Sequence, residues 1–291
     1  MDAFLHDLSW VPPLRSEGLT LVFNAFTYLG YPQFFLVFLP LGYWLCGKAM
    51  FTRLAMLIGI VGLSNAFLKD LFQDPRPPIE FALDPRVGDS FGLPSGHAQI
   101  ATAMWLWLAY EIGRRWAWIA AIVVAAGVSA SRLYLGVHDV EDVLAGILLG
   151  LATIVIYRGF VSDALKPWHD LHPLLQAAGI AALAPILYLA WPREPVPASL
   201  LGLVAFMTTW WLGDFVEREF VKYERNRNWL IAIPTAAVTI AALFWLFGLI
   251  GGQLKAMDVS PSATLAVQFA FMSLFATVVA PAFFKVLRLA R

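Results

Sequence analysis

The 291-residue chain is 60% hydrophobic and only 14% charged, a balance that excludes an ordinary soluble globular domain and points to a membrane protein. Its 20 Lys plus Arg equal its 20 Asp plus Glu, so no basic excess marks a nucleic-acid partner and no acidic excess marks a solvated tail. The single Cys46 excludes an internal disulfide and a cysteine-built metal site, and its apolar surroundings predict a packing role.

The N-terminus, MDAFLHDLSWVPPLRS, carries Asp2 and Asp7 where a secretory signal carries positive charge, so it reads as mature sequence. Residues 17–30 are apolar but stop at Gly30-Tyr31-Pro32, which predicts a short helix lying in the membrane interface. A spanning helix needs about 20 largely apolar residues. Nine stretches come near that, roughly 31–47, 51–70, 94–113, 116–133, 139–158, 171–191, 198–215, 229–250 and 264–285, separated by Gly, Pro and charge clusters. The expected fold is all-α, a polytopic transmembrane helical bundle. Its divisions are an interfacial segment at 1–30, a core at 31–160 that carries the polar clusters, and an extension of further spans at 161–291. Trp105, Trp107, Trp116, Trp118, Trp191, Trp210, Trp211 and Trp229 fall near predicted span ends, as amphipathic rings at an interface should.

Three polar clusters interrupt the apolar chain. The first runs from Lys69 through Asp74 and Pro75 to Arg76 and Pro77, and the second is Pro94-Ser95-Gly96-His97. The third is Ser131-Arg132, followed after five residues by His138 and after three more by Asp142. The first two share the loop between the second and third spans, and the third lies two crossings later, so all three face one side of the membrane. Loop charge decides which side. One set of loops holds thirteen cations: Lys48, Arg53, Arg114, Arg115, Arg158, Lys166, Arg218, Lys222, Arg225, Arg227, Lys285, Arg288 and Arg291. The other holds seven: Arg15, Lys69, Arg76, Arg86, Arg132, Arg193 and Lys255. The richer set is expected to be cytoplasmic, which places the N-terminus outside, the C-terminus inside and the three clusters on the non-cytoplasmic face.

Together the clusters resemble the three-part signature of the type 2 phosphatidic acid phosphatase superfamily, and they match it at every defining position. A string such as Pro-Ser-Gly-His alone occurs by chance about once in 10^5 positions at ordinary residue usage. The resemblance covers residues 69–142, and the surrounding helical core extends it to about residue 160. Two spans rather than three before the first cluster, and extra spans after the third, are similar to the sphingosine-1-phosphate phosphatase and glucose-6-phosphatase branches. The stretches Phe26-Thr27-Tyr28-Leu29-Gly30, Leu39-Pro40-Leu41-Gly42-Tyr43-Trp44 and Phe91-Gly92-Leu93-Pro94 add to that likeness.

The resemblance implies a phosphatase, and the residue chemistry agrees with it. Phosphoryl transfer needs cations around the equatorial oxygens, which Lys69, Arg76 and Arg132 supply. Ser95 and Gly96 at a helix start offer a hydroxyl and backbone N–H groups to an anion, the same geometry that serves an ordinary Ser N-cap. His97 is placed to protonate the leaving oxygen and then to activate water. His138 and Asp142, four apart, share a helical face. Asp142 would accept the Nδ1 proton and leave Nε2 free to attack phosphorus, although such a pair taken alone serves equally as a polar bridge.

No cluster has metal-ligand spacing, so neither metal nor cofactor is expected. The expected partners are membrane lipids and a lipid phosphate substrate of long-chain-base or phosphatidate type. The alternatives are a polyprenyl (undecaprenyl) diphosphate, a soluble sugar phosphate, or phosphotransfer between lipids. The expected location is a bacterial inner membrane with a periplasmic site, or an endoplasmic-reticulum membrane with a lumenal one. The sequence assigns no oligomeric state.

The remaining polar residues have plainer readings. Asp70, Asp74, Asp139 and Glu141 read as loop charges. Asp84, Arg86 and Asp89 read as a lip over the substrate entrance. His6, His169 and His172 read as loop or terminus residues, Gly146 and Gly150 as helix packing, and the run Asp214 to Arg227 as a solvated cytoplasmic loop.

Overall fold

The computed structural model describes residues 5–84, 90–162, 165–224 and 228–287, so Arg86, Asp89, Arg225, Arg227, Arg288 and Arg291 lie outside the described residues. All regular structure among the described residues is helical. The helices that matter here are α1 (Glu17–Tyr28), α2 (Pro32–Leu45), α3 (Lys48–Phe72), α4 (Gly96–Ile112), α5 (Arg115–Tyr134) and α6 (Val140–Val161). They are followed by α7 (Pro173–Ala181), α8 (Leu183–Ala190), α9 (Ser199–Val216), α10 (Trp229–Ala256), α11 (Pro261–Leu274) and α12 (Ala280–Val286).

Helix ends fall where capping chemistry dictates. Ser16, Asn228 and Ser260 each accept a first-turn N–H, from Leu19, Leu230 and Ala263. Pro261 takes the first helical position of α11, where its missing N–H costs nothing. Helix α4 ends on Gly113 in the left-handed region, φ 67°.

Among the described residues, seven helical segments are long and apolar enough to cross a membrane, or eight if α1 and α2, bent by 57°, count as one broken span. Two of the nine expected spans fall short: α2, whose 14 residues reach the length only together with α1, and α4. The apolar run 94–113 includes Pro94 and Ser95, which precede the helix, and Gly113, which stops it, leaving 17 residues in α4. At 1.5 Å per residue that is about 25 Å, short of a typical hydrocarbon core of about 30 Å.

Two compact units divide the chain, residues 1–34 with 60–165 and residues 35–59 with 166–291. In the first, α4 packs on α5 and α6, and α1 packs on α5. The expected packing role of Gly146 and Gly150 is visible here. A Cβ on Gly146 would stand 2.6 Å from the Ser95 carbonyl oxygen, and one on Gly150 would stand 2.8 Å from that of Gln99, so only hydrogen lets α6 approach α4 this closely.

In the second unit α9 packs on α11 and α7. The run beginning at Asp214 is not a solvated loop. Helix α9 continues through a π-helical turn, Glu217–Val221. Asp214 is buried and accepts from the Tyr43 hydroxyl at 2.9 Å, while the wholly buried Glu217 takes Lys48 Nζ at 2.7 Å and the Tyr223 N–H at 2.7 Å. Helical continuation turns these carboxylates inward, where they must be paired.

Two further expectations fail on burial. Cys46, expected to pack, lies one residue past the end of α2 and is exposed. Trp107 and Trp210, expected at the interface, are fully buried, Trp107 against Tyr157 with ring centroids 4.9 Å apart. Trp116, Trp118 and Trp229 are exposed as expected.

Candidate active site

All three polar clusters belong to the first unit, at the C-terminal ends of α3 and α5 and the N-terminal ends of α4 and α6. Backbone bonds tie them together. The Ser95 N–H donates to the Asp142 carbonyl at 2.9 Å, Gly92 N–H to that of Asp74 at 2.8 Å, and Leu83 N–H to that of Leu135 at 2.8 Å. Between α5 and His138 the chain turns on Gly136 at φ 67°, where a Cβ would stand 2.0 Å from the Phe81 carbonyl oxygen. Any side chain here would be strained by the backbone angle and would collide with the loop.

The third cluster begins α6 with a capping box: Asp139 Oδ1 accepts the Asp142 N–H at 3.0 Å, and Asp142 Oδ2 accepts the Asp139 N–H at 3.4 Å. Asp142 Oδ2 also lies 2.7 Å from His138 Nδ1, and both residues are buried. On the other side of the ring, Arg76 Nη1 lies 3.1 Å from His138 Nε2. A guanidinium can only donate, so Nε2 must accept, and the single ring proton sits on Nδ1 facing the carboxylate. Burial, followed by the positive charges of Lys69, Arg76 and Arg132, holds His138 well below its ordinary 6.5. The imidazole is therefore neutral at physiological pH, with its Nε2 lone pair turned toward a cation.

The other candidate residues surround this pair. Arg76 is anchored by the Val137 carbonyl at 2.8 Å and by the Ser90 carbonyl at 2.6 Å and hydroxyl at 2.7 Å. Burial and the charge of Arg132 lower Arg76 to about 10, which leaves it protonated at neutral pH. Lys69 Nζ donates to the carbonyls of Phe91 and, at 2.8 Å, Gly92. Ser95 stands at the N-cap of α4 but caps nothing, and its buried hydroxyl has no partner among the described residues. Buried Arg132 Nε and Asp142 Oδ1 share that condition. Three buried polar atoms without a partner among the described residues thus gather in one cluster, an arrangement suited to a polar ligand.

Gly96 permits close approach to α3, since a Cβ there would meet Asn65 Oδ1 at 2.8 Å. The Asn65 amide in turn donates to the Pro94 carbonyl at 3.1 Å and to Gln99 Oε1 at 2.9 Å, bracing the turn that carries Ser95. The His97 ring packs on Gly30 and stands edge-on to Tyr31, with centroids 4.7 Å apart.

Four residues take places that the sequence reading did not give them. Asp84, read as part of a lip, is buried and paired with Arg132 at 3.3 Å. Asp139, read as a loop charge, is the buried cap of α6, and the string Asp-Val-Glu-Asp is a capping signature that could have shown this. His6 and Glu141 also meet at this cap. His6 Nδ1 lies 2.7 Å from Asp139 Oδ2, and its Nε2 lies 3.2 Å from Glu141 Oε2.

The hydrogen bond and charge of Asp139 raise the His6 pKa above 6.5. A raised pKa stabilises the fold fully below about 6.5, and that contribution is lost as pH climbs through the folded value. Because the His6 side chain is 49% exposed, solvent screening limits the effect to about 0.2–1 kcal/mol. His6→Ala is expected to lower the melting temperature in detergent at about pH 6 and to leave it unchanged at about pH 9. An equal deficit at both pH values would contradict the charged pairing.

The family model described as the PAP2 superfamily matches residues 35–166. Human sphingosine-1-phosphate phosphatase 2 is 33% identical over 136 residues, covering 44% of this chain but only 34% of that protein, so the likeness spans about a third of that relative. Phosphatidylglycerophosphatase B of Bacillus subtilis is 34% identical over 161 residues, covering 50% of this chain and 77% of that protein. The crystal structure of a PAP2-type phosphatidylglycerolphosphate phosphatase from Bacillus subtilis covers 53% of this chain and 81% of its own, with 28% identity and a TM-score of 0.45.

Proposed function

Because the chain belongs to the PAP2 superfamily, we propose that it is an integral-membrane lipid phosphatase acting through a phosphohistidine on His138, with its site on the non-cytoplasmic face. The observation that carries this reading is the His138 ring held between the Asp142 carboxylate and the Arg76 guanidinium, neutral and with Nε2 unprotonated.

In this reading the substrate phosphate enters between Arg76 and His138. Its oxygens take the charges of Lys69, Arg76 and Arg132, the Ser95 hydroxyl, and the first-turn N–H groups of α4, which have no intrahelical partner. The Nε2 lone pair forms a bond to phosphorus as the ester P–O bond breaks, and the leaving alkoxide takes a proton from His97. The carboxylate of Asp142 offsets the positive charge that develops on the ring. His97, now neutral, removes a proton from water, whose oxygen displaces His138 and releases inorganic phosphate. Three side-chain cations supply the charge that a metal supplies in other phosphatases, so turnover is proposed to be metal-independent.

Placement at the ends of four apolar helices supports a lipid substrate, since a phosphate at headgroup depth reaches the site while its chain stays in the bilayer. The class proposed is a single-headgroup phosphate of long-chain-base or phosphatidate type. The distribution of loop cations supports a periplasmic or lumenal site. The test is catalytic efficiency on long-chain-base phosphate, phosphatidate, undecaprenyl diphosphate and glucose 6-phosphate in one detergent, with and without EDTA. The lipid monophosphates are expected to lead, and EDTA is expected to change nothing. A preference of about tenfold or more for the sugar phosphate, about 1.4 kcal/mol of discrimination, would overturn the lipid reading. Strict dependence on a divalent ion would overturn metal independence.

A further inference from the structure

We propose that Asp84 and Tyr31, which lie outside all three signature clusters, are positioning residues that aim Arg132 at the phosphate and hold His97 beside it. This rests on the phosphatase reading above. Arg132 is 2% exposed, and its guanidinium is held by Thr27 and Asp84, both outside the signature. Asp84 Oδ2 lies 3.3 Å from Nη1, in an ion pair whose side chains are 0% and 3% exposed, and the hydroxyl of Thr27 accepts from the same nitrogen. Both hydrogens of Nη1 are thereby committed. A guanidinium is planar, so two bonds at one nitrogen set the orientation of the whole fork. Its Nε edge, buried and without a partner among the described residues, is the part left to meet a phosphate oxygen.

Tyr31 joins this arrangement to the acid. Its hydroxyl donates to the same Asp84 Oδ2, and its ring stands edge-on to His97 at 4.7 Å, with the planes at 82°. Gly30 completes the seat, because a Cβ there would come within 2.3 Å of His97 Cδ2. One dipeptide thus contacts the candidate acid directly and, through one carboxylate, the candidate phosphate ligand. Such support matters because small misplacements of a reacting group cost up to about a hundredfold in rate.

The competing role for Asp84 is that of a simple counter-ion, and the two roles predict opposite signs. Removing a mere counter-ion would leave Arg132 more attractive to an anion and tighten phosphate-like inhibitors. Removing a positioning group would let the fork turn away and weaken them. Orthovanadate, whose trigonal-bipyramidal form imitates the phosphoryl transition state, is the probe.

For the purified full-length protein in detergent, Asp84→Asn is expected to lower kcat/KM by about 10- to 100-fold and to weaken vanadate inhibition by about tenfold or more. Tyr31→Phe, which deletes one hydroxyl, is expected to lower kcat/KM by about tenfold. Vanadate inhibition that is unchanged or tighter in Asp84→Asn would overturn the proposal. If Asp84→Asn loses its monodisperse peak on size exclusion, Tyr31→Phe decides alone, and wild-type efficiency there would overturn it. A wild-type protein that hydrolyses no lipid phosphate and is not bound by vanadate would strike the phosphatase reading itself, whereas an active wild type with indifferent variants strikes only this inference.

Discussion

His138→Ala is expected to lower phosphate release by at least about a thousandfold, which is about 4 kcal/mol of transition-state stabilisation. The side chain is buried, its Nδ1 is engaged by Asp142 and its Nε2 faces Arg76, and in the proposed mechanism it is the group that forms the covalent intermediate. Fold retention is expected because the capping box between Asp139 and Asp142 is made without the imidazole. Size exclusion in detergent checks the fold, and rapid quench into alkaline SDS with labelled substrate checks the chemistry. Wild type should trap a phosphoenzyme with the acid lability of a phosphoramidate, and the variant should trap none. Residual turnover above about a thousandth of wild type would remove His138 from the nucleophile's role.

Asp142→Asn is expected to lower kcat by about 10^3- to 10^4-fold, the cost seen when a histidine loses its orienting carboxylate. Asparagine preserves the shape but loses the charge, and whichever way its amide turns it harms the ring. If it presents oxygen to Nδ1, the phosphoimidazolium forming on His138 has no counter-charge. If it presents nitrogen, the proton must move to Nε2, directly against Arg76 at 3.1 Å. Vanadate affinity, assigned in the proposed site mainly to the three cations and the α4 N-terminus, should fall far less than kcat. The double variant His138→Ala with Asp142→Asn should be no slower than His138→Ala alone, because the two side chains act as one unit. Additive losses in the double variant would mean that Asp142 acts elsewhere.

Much of this molecule is legible in one sequence, because its two strongest signals are local. Hydropathy over about 20 residues is set by the solvent a helix must match, so the nine apolar stretches each correspond to helix even where α4 falls short of a full span. The spacings within the three clusters are equally local. The i,i+4 step from His138 to Asp142 predicts a contact that needs only a helix start, and the structure has it at 2.7 Å. Parity of crossings then brings Lys69, Arg76, Ser95, Gly96, His97, Arg132, His138 and Asp142 to one end of the first unit without knowledge of any packing angle.

What the sequence could not order is the polar scaffolding around that set. The bonds from Arg132 to Thr27 and Asp84 span 105 and 48 residues, the one from Tyr31 to Asp84 spans 53, and the one from His6 to Asp139 spans 133. No periodicity links residues at such separations, and each partner alone reads as an ordinary loop or helix residue. Burial is illegible in the sequence for the same reason at Asp84, Asp139, Asp214, Glu217, Trp107 and Trp210. Composition says only that a carboxylate or an indole lies near a span end, whereas the face it turns inward depends on which helix packs there. The sequence by itself determined a helical membrane protein with three polar clusters that gather at one end of the first unit. Only the tertiary structure decided which distant side chains satisfy the buried charges, because every charge taken out of water must find its partner among groups that the fold brings near it.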